Sequence, residues 1–585
     1  MTNCIEHSGH KQVLDTLNVE QQRGITIKAQ TSTMFHKYKE NTYMLNLIDT
    51  PGHVDFAYEV RRSLSASQGC LLVVCAVEGI SAQTIANFYT AFDLGLKIIP
   101  VINKIDLPHA DPNRVADELM STFDLDINTG VKISAKTGLN CEEALTKICS
   151  SLPPPVIENR SKTKLFVFDT LQEGARGIRS NIALLEGTLS SQDKLKSLNT
   201  KTTFTARELG IIELPSIRKL PLLSAGQVGY AYLRSSGKSD CIQIGDTLVA
   251  VDDDQDQQPN EGFIAPKPMV QGSIFPLDSK KFDQFEKAVR ALIVNDSSVT
   301  IDEIKSVAFG RGLILGFLGS LHYEVFLARM KDEYFYDEKK IVACKPHVRY
   351  QLKLHDEDEM IPINSPDELE KYHNSKSSYK LFEPMIDCTI ITPSEHAAKL
   401  TDLIVEYNGV EKNREYLGTN FTRTILTVRF ALSEIMTDFF SKLKSASKGL
   451  ASLDYEEAGF EECNVSIMSV SINGHEFKEF TQLVSNRYEK DYISRIKEAM
   501  KNGLRQQEYV QSIKIEKQEP GRPSKSVHSF KINAMLGKTK IKWEHKGAPE
   551  RLKRQLDALK VKQQEMKARS VPKVPKQVLI ESLKI

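Results

Sequence analysis

A chain of 585 residues is too long for one hydrophobic core and should divide into roughly three to five domains. With 41% hydrophobic and 26% charged residues it has an ordinary soluble composition, and its longest strongly apolar run, Cys70 to Val77, is far too short to span a bilayer. The net charge of +1 hides a gradient, because Gly521 to Ile585 holds 17 Lys/Arg against 5 Asp/Glu and leaves the rest of the chain acidic. Such a tail suits an anionic partner, RNA foremost, or is a solvated Lys-rich helix. Nine cysteines scatter from Cys4 to Cys463 without a C-x-x-C pair, which argues against a zinc ribbon or disulfide framework and for a reducing compartment. Cys4, His7 and His10 read as part of a polar terminus rather than as metal ligands.

Residues 1–155 read as an α/β domain. Apolar strands at Tyr43 to Ile48, Gly69 to Ala76, Lys97 to Ile102 and Val131 to Ser134 alternate with helical patterns near Val54 to Ser65, Thr84 to Leu94 and Arg114 to Phe123. Near-continuous apolar strands between amphipathic helices imply a parallel sheet covered on both faces. After the stiff Ser151-Leu152-Pro153-Pro154-Pro155 boundary, residues 164–251 carry short strands with Gly-bearing turns and read as a β-barrel. The polar stretch Asp252 to Gly262 reads as a linker.

Two segments, 266–354 and 383–463, then repeat a strand-helix-strand-strand-helix-strand pattern, the ferredoxin-like arrangement. The first closes on a strand near Val348 to Leu354, and the second on Leu453 to Ala458. Residues 464–585 form a basic C-terminal domain: a strand at Val465 to Ile472, the turn Asn473-Gly474, a charged helix from Phe477 to Met500, a break at Gln518 to Ser526, and a Lys/Gln/Glu helix at Arg551 to Arg569. Trp543, the only tryptophan, is read as a core anchor in preference to an RNA-stacking platform. The fold class is therefore multidomain α/β, with a parallel-sheet domain, a barrel, two ferredoxin-like α+β modules and a basic end.

The chemistry-bearing residues sit where the α/β strands end, the edge at which such sheets bind ligands. In Asn103-Lys104-Ile105-Asp106 the Asp106 carboxylate is placed to accept from guanine N1 and the exocyclic amine together. Asn103 ties neighbouring loops and the Lys104 stem covers the base. Ser134-Ala135-Lys136 follows the next strand and offers a backbone N–H to the guanine carbonyl oxygen. In Asp49-Thr50-Pro51-Gly52-His53 we expect Asp49 to hold Mg²⁺, Gly52 to let its N–H approach a γ-phosphate, and His53 to orient the attacking water. Upstream, Arg23-Gly24-Ile25-Thr26-Ile27 offers the Thr26 hydroxyl as a second Mg²⁺ ligand in a segment that loss of the γ-phosphate would release, with Ile25 in an apolar screen around the water. GTP and Mg²⁺ are the implied cofactors.

This set resembles the translational GTPases, and among them the elongation factor 4 family of LepA-type back-translocases in its organellar branch. The likeness runs from about Gln12 to about Ser512. It is carried by Gln22 to Gln30, Asp49 to Asp55, Asn103 to Pro108, Gly316-Phe317-Leu318-Gly319-Ser320-Leu321-His322 and Leu443 to Tyr455. Elongation factor G would place an extra domain between the two ferredoxin-like modules, where only Lys353 to Phe382 stand here. The resemblance implies a ribosome-dependent GTPase acting in mitochondrial protein synthesis, with ribosomal and transfer RNA as partners. It further implies a matrix location, peripheral to the inner membrane, over bacterial cytoplasm or plastid. The alternatives are a non-catalytic ribosome-binding protein with a defective nucleotide domain, and a BipA-type GTPase. The family's Gly-Gly-Asp loop before its last helix has no counterpart, and Lys540 to Gly547 stands in its approximate place.

No G-x-x-x-x-G-K-[ST] phosphate loop occurs in the chain. Gly237-Lys238-Ser239 and Gly537-Lys538-Thr539 imitate its end, but Tyr232 and Ile532 occupy the position of its first glycine. The family's first strand, which lies between the strands ending at Asp49 and near Ala76, is expected to be missing with it, leaving two interior sheet edges unpaired. Each lost ladder hydrogen bond forfeits about 1 kcal/mol net. We expect a start misplaced at an exon boundary, in preference to a natural fragment or to Met1 to Val13 standing in for the strand. GTP binding by these 585 residues is then expected to be weaker than micromolar.

Overall fold

The computed structural model describes residues 14–533, apart from short internal stretches of which 236–241, 260–266 and 370–378 are the longest, and a few positions beyond. The expectations for Cys4, His7, His10, both Gly-Lys-Ser/Thr fragments, Trp543 and Lys540 to Gly547 lie outside the described residues, as does most of the stretch from Asp252 to Gly262.

The first domain begins with a short helix α1 (Asn18–Arg23) that ends on Gly24 in the left-handed region at φ 67°. A hairpin follows, β1 (Gln30–Tyr38) with β2 (Asn41–Asp49), paired antiparallel from Gln30↔Asp49 to Tyr38↔Asn41. Then come α2 (Ala57–Ser65), β3 (Gly69–Cys75), α3 (Ala82–Asp93), β4 (Lys97–Asn103), α4 (Pro112–Phe123), β5 (Val131–Lys132) and α5 (Cys141–Ser151). Helix α4 starts as its sequence dictates, with Asp111 accepting from the Arg114 N–H and Pro112 in the first turn.

Strands β3, β4 and β5 form a parallel sheet, and β1 and β2 a separate two-stranded one. Among the described residues nothing bridges β2 to β3. The physical signature is direct: no residue of β2 is buried, and Val73 at the middle of β3 is 55% exposed. The parallel sheet is covered on both faces around β4: Val74, Ile98, Ile102, Val115 and Leu119 share one core, and Val101, Val131, Ile133 and Ala144 another.

The barrel comprises β6 (Lys164–Glu173), β7 (Gly177–Glu186), β8 (Thr188–Ser190), β9 (Lys194–Ser197), β10 (Thr203–Glu213), β11 (Ser216–Lys219), β12 (Leu222–Ser224), β13 (Val228–Ser235) and β14 (Thr247–Ala250). Pairing of β10 with β9 closes the order β10-β13-β7-β6-β14-β9 on itself, so no edge remains in the ring. Leu165, Val167, Ile182, Leu184, Leu195 and Phe204 fill its interior.

The first ferredoxin-like module runs β15 (Val270–Pro276), α6 (Phe282–Val294), β16 (Thr300–Ser306), β17 (Gly310–Phe317), α7 (Ser320–Tyr334), β18 (Ile341–Ala343) and β19 (His347–Val348). Its sheet has the order β16-β17-β15-β18, with β19 also on β15. The expected closing strand is corrected here. Residues of β20 (Tyr350–Leu354) pair with β21 (Met360–Ile363) and with β22 (Tyr379–Pro393), joining the second module's sheet. The remainder of that module is α8 (Ala397–Glu406), β23 (Val410–Leu417), β24 (Arg423–Ala431), α9 (Leu432–Ile435), α10 (Phe439–Ala446) and β25 (Ser452–Glu462). A single core holding Val348, Leu352, Leu381, Ile390, Leu400, Leu426, Phe430 and Phe439 explains the transfer, since β20 buries Leu352 against the second module.

The last described unit is β26 (Val465–Ile472), β27 (His475–Ser485), α11 (Glu489–Gly503), β28 (Gln511–Gln518) and β29 (Lys525–Ile532), in the sheet order β27-β26-β28-β29. The charged helix expected from Phe477 is corrected: its first third is strand β27. Asn473 and Gly474 both have positive φ, 56° and 88°, the geometry of a two-residue hairpin, and the chain must return antiparallel along β26. No helix among the described residues is long and apolar enough to cross a membrane.

Candidate functional site

Strands β4 and β5 run parallel with Val101 beside Val131 and Ile102 beside Lys132, so the loops leaving their C-terminal ends are neighbours. Asn103 joins them. Its Oδ1 accepts from the Lys104 N–H at 2.7 Å and from the Ala135 N–H at 3.0 Å. Lys104 turns through the left-handed region at φ 66°, and Asp106 accepts from the buried Ser134 hydroxyl at 2.7 Å. Ser134 is itself anchored, its Oγ accepting from the Thr137 N–H at 3.2 Å. Asp106, Lys104, Ala135 and Lys136 are exposed, Ile105 half-buried. Asn103 thus ties the two loops together, and the Ala135 N–H is taken by that tie.

Asp49 ends β2, and Thr50, Pro51, Gly52 and His53 form the loop into α2. A Cβ on Gly52 would meet nothing within 4 Å, so this chain's own packing does not demand a glycine there. His53 Nδ1 accepts from the Asp55 N–H at 3.2 Å, and its ring lies 6.4 Å from Phe56 and 6.3 Å from Phe440, edge-on to both.

The upstream segment is held by two carboxylates that the sequence reading missed. Buried Glu20 accepts from the Ile27 and Lys28 N–H groups, both at 3.0 Å, and from the Leu17 N–H at 2.9 Å. Buried Asp15 accepts from the Thr26 hydroxyl at 3.0 Å. Glu20 reaches back to the Leu17 N–H from the third position of α1, but with leucine at the N-cap no capping-box sequence marks it, and Asp15 carried no local signal either. Ile25 packs with Val19, Ile27, Phe56 and Val325, facing the first ferredoxin-like module.

Burial raises the Asp49 carboxyl above its ordinary range, and the neighbouring charges of Asp15 and Glu20 push it the same way. Asp49 and Thr26 therefore share a carboxylate-rich corner where a divalent cation would relieve repulsion. Hydroxyl and carboxylate oxygens are the hard donors that Mg²⁺ takes. Among the described residues no three His, Cys, Asp or Glu side chains are gathered as a metal group.

Behind this edge the domains are locked by buried charge. Lys28 Nζ lies 3.2 Å from Asp169 of the barrel and donates to the Thr170 carbonyl, and Arg62 lies 2.6 Å from Glu59. His322 on α7 sits 2.8 Å from Asp296. Burial opposes charge on both, yet their mutual attraction holds the Asp296 carboxyl well below its usual range and raises the imidazole.

The Elongation factor Tu GTP binding domain family matches residues 2–154, and the Elongation factor G C-terminus family residues 380–470. The human "Translation factor GUF1, mitochondrial" is 40% identical over 516 residues, covering 87% of this chain and 75% of that protein. The bovine protein of that name is 41% identical over 83% of this chain and 72% of its own length. The one from Laccaria bicolor is 42% identical over 80% and 73%. A crystal structure of a Thermus thermophilus protein shares the fold at 14% identity, with a TM-score of 0.52 over 77% of this chain and 91% of that one.

Proposed function

The chain belongs to the family of the mitochondrial translation factor GUF1, the translational GTPases of elongation factor 4 type, and from that premise we propose how its site binds and hydrolyses GTP. It is a translation elongation factor GTPase of mitochondria. The observation that carries the site reading is the Asn103–Ala135 tie beside the Asp106–Ser134 bond, at the C-terminal ends of adjacent parallel strands. There Asp106, oriented by Ser134, accepts from guanine N1 and its amine. Because the Ala135 N–H is occupied, the Lys136 N–H is the donor left for the guanine carbonyl oxygen.

Thr26 and Asp49 would hold Mg²⁺, which would neutralise charge on the phosphate oxygens. Thr50, Pro51 and Gly52 present the loop to the γ-phosphate, and the open space around Gly52 supports a close approach of its N–H. His53, with Nδ1 occupied by the Asp55 N–H, keeps its proton on Nε2 and uses it to orient the attacking water. The ribosome is the partner that stimulates hydrolysis, through contacts with ribosomal and transfer RNA made by the basic C-terminal end. Residence is in the matrix, peripheral to the inner membrane.

A second reading, a ribosome-binding protein whose nucleotide domain serves as scaffold, draws on one observation: β2 and β3 lie in separate sheets. Ribosome-stimulated GTP hydrolysis separates the two. Hydrolysis that is present and lost in His53→Ala supports the catalytic reading; ribosome binding with no hydrolysis supports the scaffold.

A further inference from the structure

Asp55 is 4% exposed and lies two residues beyond His53, and its side chain has no part in the chemistry above. Its carboxylate is nonetheless the meeting point of three domains. Oδ2 accepts from the N–H groups of Leu321 and His322, at 2.9 and 3.2 Å, in the first turn of the fifteen-residue helix α7. Oδ1 accepts from the Tyr455 hydroxyl at 2.9 Å, across 400 residues of sequence. The close approach is built into the backbone, because a Cβ on Gly319, which precedes α7, would stand 2.2 Å from the Asp55 carboxylate.

The same residue holds the imidazole. Its backbone N–H donates to His53 Nδ1, so fixing the Asp55 side chain fixes the peptide that selects the histidine tautomer. A second route reaches the ring directly, since Phe440 of α10 meets it edge-on at 6.3 Å. Tyr455 and Phe440 both belong to the second ferredoxin-like module. That module is seated on the nucleotide domain by separate bonds: Ala82 N–H to Ser452 Oγ at 2.9 Å, Gln83 Nε2 to the Leu453 carbonyl at 2.5 Å, and Arg423 to the Ile80 carbonyl. Tyr455 thus lies on strand β25, whose first residues are pinned to the start of α3.

We propose that Tyr455 and Phe440 are positioning residues for His53. Docking of the second ferredoxin-like module sets the tautomer and orientation of the imidazole, and movement of that module away from α3 withdraws both constraints at once. The catalytic consequence rests on the reading of His53 as the residue that orients water. The positional consequence does not.

Histidine-selective ¹⁵N and ¹³C labelling of the full chain tests it, with the His53 signals assigned by their loss in His53→Gln. In Tyr455→Phe the ring nitrogens should move from a pure Nε2–H pattern toward a tautomer mixture, and in Phe440→Leu the ring carbons and protons should lose a ring-current shift. His53 signals unchanged in both variants overturn the proposal, whatever the activity. Ribosome-stimulated hydrolysis is the second readout: kcat should fall about three- to tenfold in Tyr455→Phe with KM for GTP unchanged, the cost of one hydrogen bond. If His53→Ala leaves kcat intact, the water-orienting role fails while the positioning stands on the spectra. If His53→Ala abolishes hydrolysis but neither variant moves the spectra, the positioning fails alone.

Discussion

Arg62→Met should loosen the junction of three domains, and by an amount that depends on pH. Arg62 on α2 is 2% exposed, 2.6 Å from Glu59, 3.8 Å from Asp169 of the barrel and 3.4 Å from Ser297 of the first ferredoxin-like module. With Lys28, 3.2 Å from Asp169, the cluster balances two cations against two carboxylates. Methionine keeps the bulk and leaves one cation for two buried acids. Removing one partner of a buried pair costs about 3–5 kcal/mol, against a domain stability of about 5–15 kcal/mol. Because Lys28 remains beside Asp169 to offset part of the uncompensated charge, the expected loss is about 3 kcal/mol, the lower end.

The pH dependence follows from Glu59. Burial raises its carboxyl above the ordinary value while Arg62 draws it down. Without Arg62 it rises further. An acid whose folded pKa is raised binds more protons in the folded state, so its contribution to stability is lost as pH rises from the unfolded value of about 4.3 through the folded one. The variant's deficit is therefore largest at pH 8 and shrinks toward pH 5. Urea titrations followed by far-ultraviolet circular dichroism at pH 5, 6, 7 and 8, read at the first transition, measure it. A deficit below about 1 kcal/mol, or one constant across that range, would refute the reasoning.

Asp454, buried on β25, has its carboxyl raised to about 7 by burial and then by the charge of Glu456. Its folded value being raised, stability is lost as pH climbs from about 4 to 7, so Asp454→Asn should be about 4 kcal/mol more stable than the parent at pH 8 and equal to it near pH 4. Thermal melts at the two pH values decide. In Arg423→Ala the Ile80 carbonyl loses a donor and buried Glu118 one of its cations. Docking of the second ferredoxin-like module should weaken by about 2–3 kcal/mol, and the Ala82 amide, which donates to Ser452, should exchange with deuterium correspondingly faster. Asn103→Ala deprives the Lys104 and Ala135 amides of their shared acceptor, and both should exchange about five- to tenfold faster while the Ile133 amide, bonded to the Ile102 carbonyl, keeps its rate.

What could be read in the chain was chemistry confined to a few consecutive residues. Asn103 to Asp106 and Ser134 to Lys136 declare themselves because a loop leaving a strand must present certain groups in a set order, and parallel pairing of β4 with β5 then brings the two loops together. The closed barrel and the repeated strand-helix pattern were legible for a similar reason, since alternation and helical spacing are local consequences of which face is buried. Residues 477–485 misled because they run directly into the charged helical stretch of Glu489 to Gly503. The left-handed Asn473-Gly474 turn and the burial of Phe480 from β27 in the core with Met468 and Ile496 override that propensity.

Only the tertiary structure decided which side chains serve those motifs from a distance. Thr26 finds Asp15, Asp55 finds Tyr455, His53 finds Phe440, and Leu352 of β20 is drawn from one module to the next. None of these pairings leaves a periodic trace, because each is selected by how preformed surfaces fit when whole domains dock. Sequence by itself marked which loops carry the residues proposed to handle guanine, phosphate and water. The packing of three domains around residues 53–55 determined what holds the histidine, since a hydrogen bond spanning 400 residues exists only once both of its ends have been fixed by separate cores.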